Sequence, residues 1–227
     1  MKRSALGLNV LVSLAALALA GCATESNRAL EVQKTKSAVQ AEAYRGPRTT
    51  IFIGKFSNRS NYMRGMFSDG VDRLGGQAKT ILMAHLNQSG RFDLVDRENL
   101  EDLSREAKLK SEGQAVAGAD FAVTGDITEF GRKETGDKQL YGIAGAGKKQ
   151  ISYAKVTLNV VSVKTSRVVY SVQGAGEYEL SSREILGTGG DASYDTTLNG
   201  KVMDLAVREA VDRLAEGFET QKWKAER

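Results

Sequence analysis

Ile151-Ser152-Tyr153-Ala154-Lys155-Val156-Thr157-Leu158-Asn159-Val160-Val161-Ser162-Val163 repeats with a period of two and puts Val156, Leu158 and Val160 on one side. That period, with this many β-branched residues, specifies a long strand with one buried face. Lys164-Thr165-Ser166 is polar and turns the chain. The alternation then resumes over residues 167–182, where Val168, Tyr170, Val172, Gly174, Gly176, Tyr178 and Leu180 share one face. Two long strands joined by a tight turn need other elements to cover their apolar side.

Those elements flank the pair. Downstream, residues 199–224 return to a helical period, with Val202, Leu205, Ala206, Ala210, Leu214 and Phe218 on one face. Upstream, Thr49-Thr50-Ile51-Phe52-Ile53-Gly54-Lys55-Phe56 reads as a first strand that ends at Ser57-Asn58-Arg59-Ser60-Asn61. Ser68 or Asp69 can cap a helix running to about Gln88, with Val71, Leu74, Ala78, Ile81, Leu82 and Leu86 as its core stripe. Ser89-Gly90 stops it. Residues 91–95 form a short strand, and Asp96 caps a second helix to about Lys110, with Leu100, Leu103 and Ala107 on one face. Residues 119–130 form a further strand. The order of strand, helix, strand, helix, three strands and helix predicts an α+β fold, an α/β sandwich with a mixed β-sheet covered by helices and extended β-hairpins.

Composition removes several functions. The chain of 227 residues holds one cysteine, Cys22, and one histidine, His85. Thiol–imidazole catalysis and clustered His/Cys metal sites are therefore excluded. His85 lies in a helical run and reads as a packed or surface histidine. Asp69, Asp72, Asp93 and Asp96 read as caps and solvated faces, not as an acid–base pair. No catalytic residue, metal or cofactor is expected, and the chain does not read as an enzyme. Gly is abundant at 24 residues against a single Pro, Pro47, and the glycines gather between residues 125 and 200, which fits strands with tight turns. The formal charge of +4 includes Lys2 and Arg3, so without them it is nearer +2, and no nucleic-acid partner is inferred.

The N-terminus has its own logic. Lys2 and Arg3 precede an apolar run from Ala5 to Ala20, shorter than the roughly 20 residues of a comfortable membrane span. Leu19, Ala20 and Gly21 then lead to Cys22. This is the layout of an export signal, and the cysteine makes it resemble a bacterial lipoprotein signal. That resemblance implies removal of residues 1–21 and acylation of Cys22. It also implies an outer-membrane location facing the periplasm, because Ala23 rather than Asp follows. The covalent lipid on Cys22 would bind membrane lipids at about 0.8 kcal/mol per buried CH₂. Residues 22–48 are polar and read as a lipidated tether with a short helix, and residues 49–227 as the folded domain.

Four segments resemble the CsgG/HfaB family of outer-membrane lipoproteins, which serve curli secretion and holdfast anchoring. They are Ser89-Gly90-Arg91-Phe92-Asp93-Leu94-Val95-Asp96-Arg97-Glu98-Asn99-Leu100, Ala119-Asp120-Phe121-Ala122-Val123-Thr124-Gly125, Tyr141-Gly142-Ile143-Ala144-Gly145-Ala146, and Val156-Thr157-Leu158-Asn159-Val160-Val161-Ser162-Val163-Lys164-Thr165. In order and spacing they cover nearly all of the chain from Thr49. The resemblance implies a periplasmic α/β domain that forms a homo-oligomeric ring. It also implies two hairpins per subunit in a shared transmembrane barrel, a loop that narrows the channel, and passage of secreted fibre or adhesin subunits.

On this chain the narrowing loop falls on residues 57–70, where Tyr62, Met66 and Phe67 are the candidate constriction residues; the alternative is that Tyr62 and Phe67 pack the loop onto the domain. The hairpins fall on residues 131–155 and 167–197, with Val168, Tyr170, Val172, Tyr178 and Leu180 as the candidate membrane-facing positions. Residues 131–139 fit a barrel poorly, because Arg132 and Glu134 share one face and Lys133 and Asp137 the other. A lipid-facing Lys or Arg at mid-bilayer costs roughly 2–4 kcal/mol. The second hairpin is shorter than the family pattern. An alternative reading follows: a non-pore periplasmic lipoprotein that acts as scaffold or regulator of envelope assembly, with other envelope lipoproteins as partners, as in the LpoB activators.

Overall fold

A computed structural model describes residues 33–41, 44–62, 71–111, 113–138, 146–184 and 198–224. Nine elements follow in order. They are α1 (Lys36–Val39), β1 (Thr49–Asn58), α2 (Arg73–Gln88), β2 (Phe92–Leu94), α3 (Leu100–Leu109), β3 (Phe121–Lys138), β4 (Ala146–Ser162), β5 (Val168–Glu184) and α4 (Leu198–Glu219), among the described residues. The strands form one mixed sheet in the order β2-β1-β3-β4-β5. β1 runs parallel to β2 and β3, and β3, β4 and β5 are antiparallel. The α+β class expected from the element order is the class observed.

Helices α2 and α4 lie side by side on one face of this sheet. Alternate strand residues, among them Ile51, Val123, Ile127, Val156, Leu158 and Val160, point into that layer and are buried. From the helices come Ala78, Leu82 and Leu86, with Val202, Ala206, Ala210 and Leu214, each at four-residue steps. The opposite sheet face carries Thr157, Asn159, Ser171 and Gln173 and is half-buried or exposed, with hydrogen bonds from Ser171 to Asn159 at 2.6 Å and Gln173 to Thr157 at 3.2 Å. One covered face and one polar face explain the strict period of two in β4.

Several boundaries differ from the sequence reading. Strand β3 runs through the charged stretch to Lys138 instead of ending near Phe130, because β4 pairs with it residue for residue out to Lys138↔Ala146. The cap of α2 is Asp72, whose carboxylate accepts from Gly75 N–H at 2.8 Å. Asp96 sits ahead of α3, where it accepts from the backbone of Glu98 and Asn99 and from the Asn99 side chain. The Asn99 side-chain bond and the backbone bonds hold its carboxyl below the usual range. No residue of α3 is buried, so its Leu100, Leu103 and Ala107 stripe lies outside the core. Helix α4 ends at Glu219, and residues 220–223 fold back. Trp223 is buried there against Phe92, Phe121, Tyr170 and Phe218 and donates to the Leu214 carbonyl at 3.3 Å.

The folded unit also begins earlier than residue 49, at Lys34. Asp212 on α4 accepts from the N–H groups of Lys36 and Ser37 at 3.1 Å each and from the Ser37 hydroxyl at 3.2 Å. A carboxylate at exposed helix N–H groups satisfies donors that the helix cannot. Asp212→Ala is expected to cost about 1–2 kcal/mol and to release residues 35–40. Limited proteolysis and amide exchange would read this as new cleavage and lost protection before Thr49 with the rest of the domain unchanged.

Candidate functional site

The candidate loop leaves the sheet at a fixed point. The N–H groups of Arg59 and Ser60 both donate to the Ile127 carbonyl, at 2.9 and 3.0 Å. That carbonyl lies where the β3–β4 register shifts, between Ile127 and Glu129. A bulge frees a backbone acceptor for a neighbouring segment. On the far side of the loop, Asp72 accepts from Asn58 N–H at 2.6 Å as well as capping α2. One carboxylate thus joins the end of β1 to the start of α2, so the loop is closed at its base.

Tyr62 then folds back onto the domain. Its ring lies 4.7 Å from Phe130 between centroids, and the Arg132 guanidinium sits 5.5 Å from its centre. Asn199, at the start of α4, donates to the Tyr62 hydroxyl at 3.4 Å and accepts from Arg132 Nε at 3.1 Å. Asn58 donates to the Tyr62 carbonyl at 2.9 Å. Loop, strand β3 and helix α4 therefore meet at one junction, at the base of the strands that run on beyond the helices. Tyr62 packs there as part of the fold. Phe130, Arg132 and Asn199 belong to this junction, and sequence periodicity gave no sign of them because they come from β3 and α4, two segments far from Tyr62 in the chain. Met66 and Phe67 lie outside the described residues.

Tyr62→Ala is expected to destabilise the domain by about 2 kcal/mol, through lost apolar burial and the aromatic pair. Tyr62→Phe keeps the ring and should cost no more than about 0.5–1 kcal/mol. Equal losses in urea unfolding would mean that the hydroxyl, not the ring, anchors the loop.

The face of β5 proposed to meet lipid is instead largely the seat of α4. Tyr170 packs on Gly217, Val172 is buried, and Gly174 and Gly176 lie against the α4 backbone. Tyr178 packs against the core with Lys201 over its ring at 5.2 Å. Alternation on β5 reflects a helix that covers it. Val168 is 60% exposed at the start of the strand. Leu180 pairs with Gln150 in register, and its side chain lies outside the described residues. The tips of both candidate hairpins, residues 139–145 and 185–197, lie outside them too, as do Leu19, Ala20, Gly21 and Cys22.

Among the described residues no cluster of three His, Cys, Asp or Glu side chains could hold a metal ion. His85 is buried between α2 and α4 with its Nε2 2.8 Å from Asp204 Oδ1, a structural pair. No described helix is long and apolar enough to cross a membrane.

Comparison with known proteins identifies the family. A protein of Neisseria meningitidis serogroup B, whose name reads "putative lipoprotein", is 55% identical over 218 residues, 96% of this chain and 97% of the relative. Among solved structures, lipoprotein GNA1162 from Neisseria meningitidis is 15% identical with a TM-score of 0.36, over 74% of this chain and 99% of that one. The PelC dodecamer from Paraburkholderia phytofirmans is 12% identical with a TM-score of 0.34, over 73% and 87%. Both are loose likenesses. The model of the curli production assembly/transport component CsgG matches residues 31–227. The match begins just before the docked segment at Lys34 and runs through Trp223, so it takes in the whole folded unit. The chain belongs to the CsgG family.

Proposed function

We propose that this protein is a lipid-anchored envelope component of the CsgG type. Acylated at Cys22, it is held at the outer membrane facing the periplasm. It assembles there into a homo-oligomeric ring and serves the transport or surface anchoring of secreted fibre or adhesin subunits. The observation that supports this reading best is the family match over residues 31–227. It is joined by a lipoprotein-type Leu19-Ala20-Gly21-Cys22 at the head of the chain and by strands that extend past the helical layer from a braced junction. The residues that act are those of binding and assembly. No bond-making step is proposed.

The test has two parts. Mass spectrometry of the protein from native membranes should find acyl chains on Cys22, and Cys22→Ser should leave the protein unacylated and free of the membrane. Deleting the gene should then remove fibre or adhesin subunits from the cell surface and leave them in the periplasm. An unchanged surface with a membrane-bound, acylated protein would favour the scaffold or regulator reading. The charge on the extended strands and the short second hairpin are the observations that favour that reading.

A further inference from the structure

Beyond the Tyr62 junction the sheet continues as a three-stranded shaft. Its base row, Arg132 paired with Ser152 and Ser152 with Tyr178, still belongs to the junction, and six further rows follow to Lys138, Ala146 and Glu184. At about 3.4 Å per row the shaft rises roughly 20 Å, close to the apolar band of about 25 Å that a transmembrane barrel needs. Length alone would let it span.

The register decides otherwise. Successive rows fall on opposite faces of a sheet. The rows of Arg132, Glu134, Lys138, Lys148 and Glu184 belong to one face, and those of Lys133, Asp137, Lys149, Glu179 and Arg183 to the other. Each of the seven rows carries at least one charge, so neither face holds an apolar band. Next to the base Ser152 is buried and Gln150 and Ile151 are half-buried, whereas the described charged side chains reach solvent. Arg132 and Lys133 are both exposed, on opposite faces. Lys149 reaches Glu179 on the neighbouring strand at 2.8 Å, with both side chains at least 40% exposed. A lipid-facing wall can be polar on its inner side only. Joining several copies edge to edge into a cylinder would satisfy the backbone groups of the outer strands and would leave at least four charged positions per copy on the outside.

We infer that this shaft above its base row, residues 133–138, 146–151 and 179–184, stands in water on both faces, outside the hydrocarbon of the membrane. Any ring built from this chain then carries an aqueous β-collar at this level. The inference builds on the lipid-anchored reading but fails separately from it.

The experiment uses the full acylated chain in isolated outer membranes. Single substitutions Lys133→Cys, Glu134→Cys, Lys148→Cys and Ile151→Cys are labelled with a membrane-impermeant maleimide, before and after detergent. The expected result is labelling at all four positions that changes less than about twofold on adding detergent. A spanning sheet would protect alternate positions, with labelling of one face about tenfold lower until detergent is added, and that pattern overturns the inference. The parent protein is the control for the anchor. Cys22 is its only thiol, so labelling of the parent means the thiol is free and the anchor reading is wrong. The four positions are then read on a Cys22→Ser background with the same two outcomes.

Discussion

Gly174→Ala is expected to unseat helix α4 and to destabilise the domain by about 3 kcal/mol or more, at the upper end of what overpacking costs. A Cβ at this position would lie 2.1 Å from the Ala206 carbonyl oxygen and 2.4 Å from the Ala210 nitrogen. These are backbone atoms of a helix, which cannot swing aside as a side-chain tip can. Relief requires moving α4 away from β5, and that opens the layer holding Val202, Ala206, Ala210 and Leu214. Gly176 repeats the situation, with Leu205 Cβ at 2.7 Å and the Val202 carbonyl at 2.8 Å. The control is Ala175→Val, one residue along on the exposed face, where a change within about 0.5 kcal/mol is expected. Urea unfolding of the three proteins decides the matter. A Gly174→Ala protein as stable as the parent would mean that α4 does not pack on β5 at this distance.

Arg91→Ala should be comparably severe, at about 3–5 kcal/mol, the usual cost of leaving partners of a buried charge unpaired. Arg91 is almost wholly buried. Its Nε and Nη2 both reach Glu219 Oε1 at 2.7 Å, and its Nη1 donates to the carbonyls of Ser37 and Ser89 at 2.7 Å. Its guanidinium also lies 4.4 Å from the centre of the Tyr44 ring. One side chain thus ties the docked N-terminal segment to the ends of α2 and α4. Arg91→Lys keeps the charge but has no planar fork to reach three partners, so it should recover less than half of the loss. The distinguishing readout is amide exchange. Loss of protection should begin in residues 36–40 and 214–219 and precede any change in β3 or β4. Uniform loss across the domain would assign Arg91 to general stability alone.

These two sites mark the limit of what residue patterns convey. Period-two alternation in residues 151–163 and the three- and four-residue steps in α2 and α4 were sufficient for the α+β sandwich, because each pattern is set by its own element. The resemblance to the CsgG family was readable for the same reason, from short segments in a fixed order. The alternation on β5 was equally plain, yet its partner was not. An apolar face reports that water is excluded and does not say whether a helix or lipid excludes it. The glycines at 174 and 176 were the local hint, since a strand face meant for lipid gains nothing from lacking side chains, whereas a helix packed closely on it requires that lack.

Sequence by itself determined the element order, the fold class, the family and the charge on both sides of the extended strands. Only the tertiary structure decided that Tyr62 braces the hairpin base, that Asp212 and Arg91 dock the segment before β1, that Trp223 folds back into the core, and that α4 covers β5. Each of these joins residues far apart in the chain, Asp212 to Ser37 across 175 positions and Arg91 to Glu219 across 128. Such contacts depend on where whole elements come to rest, and apart from the glycines at 174 and 176 no local period or motif points to them.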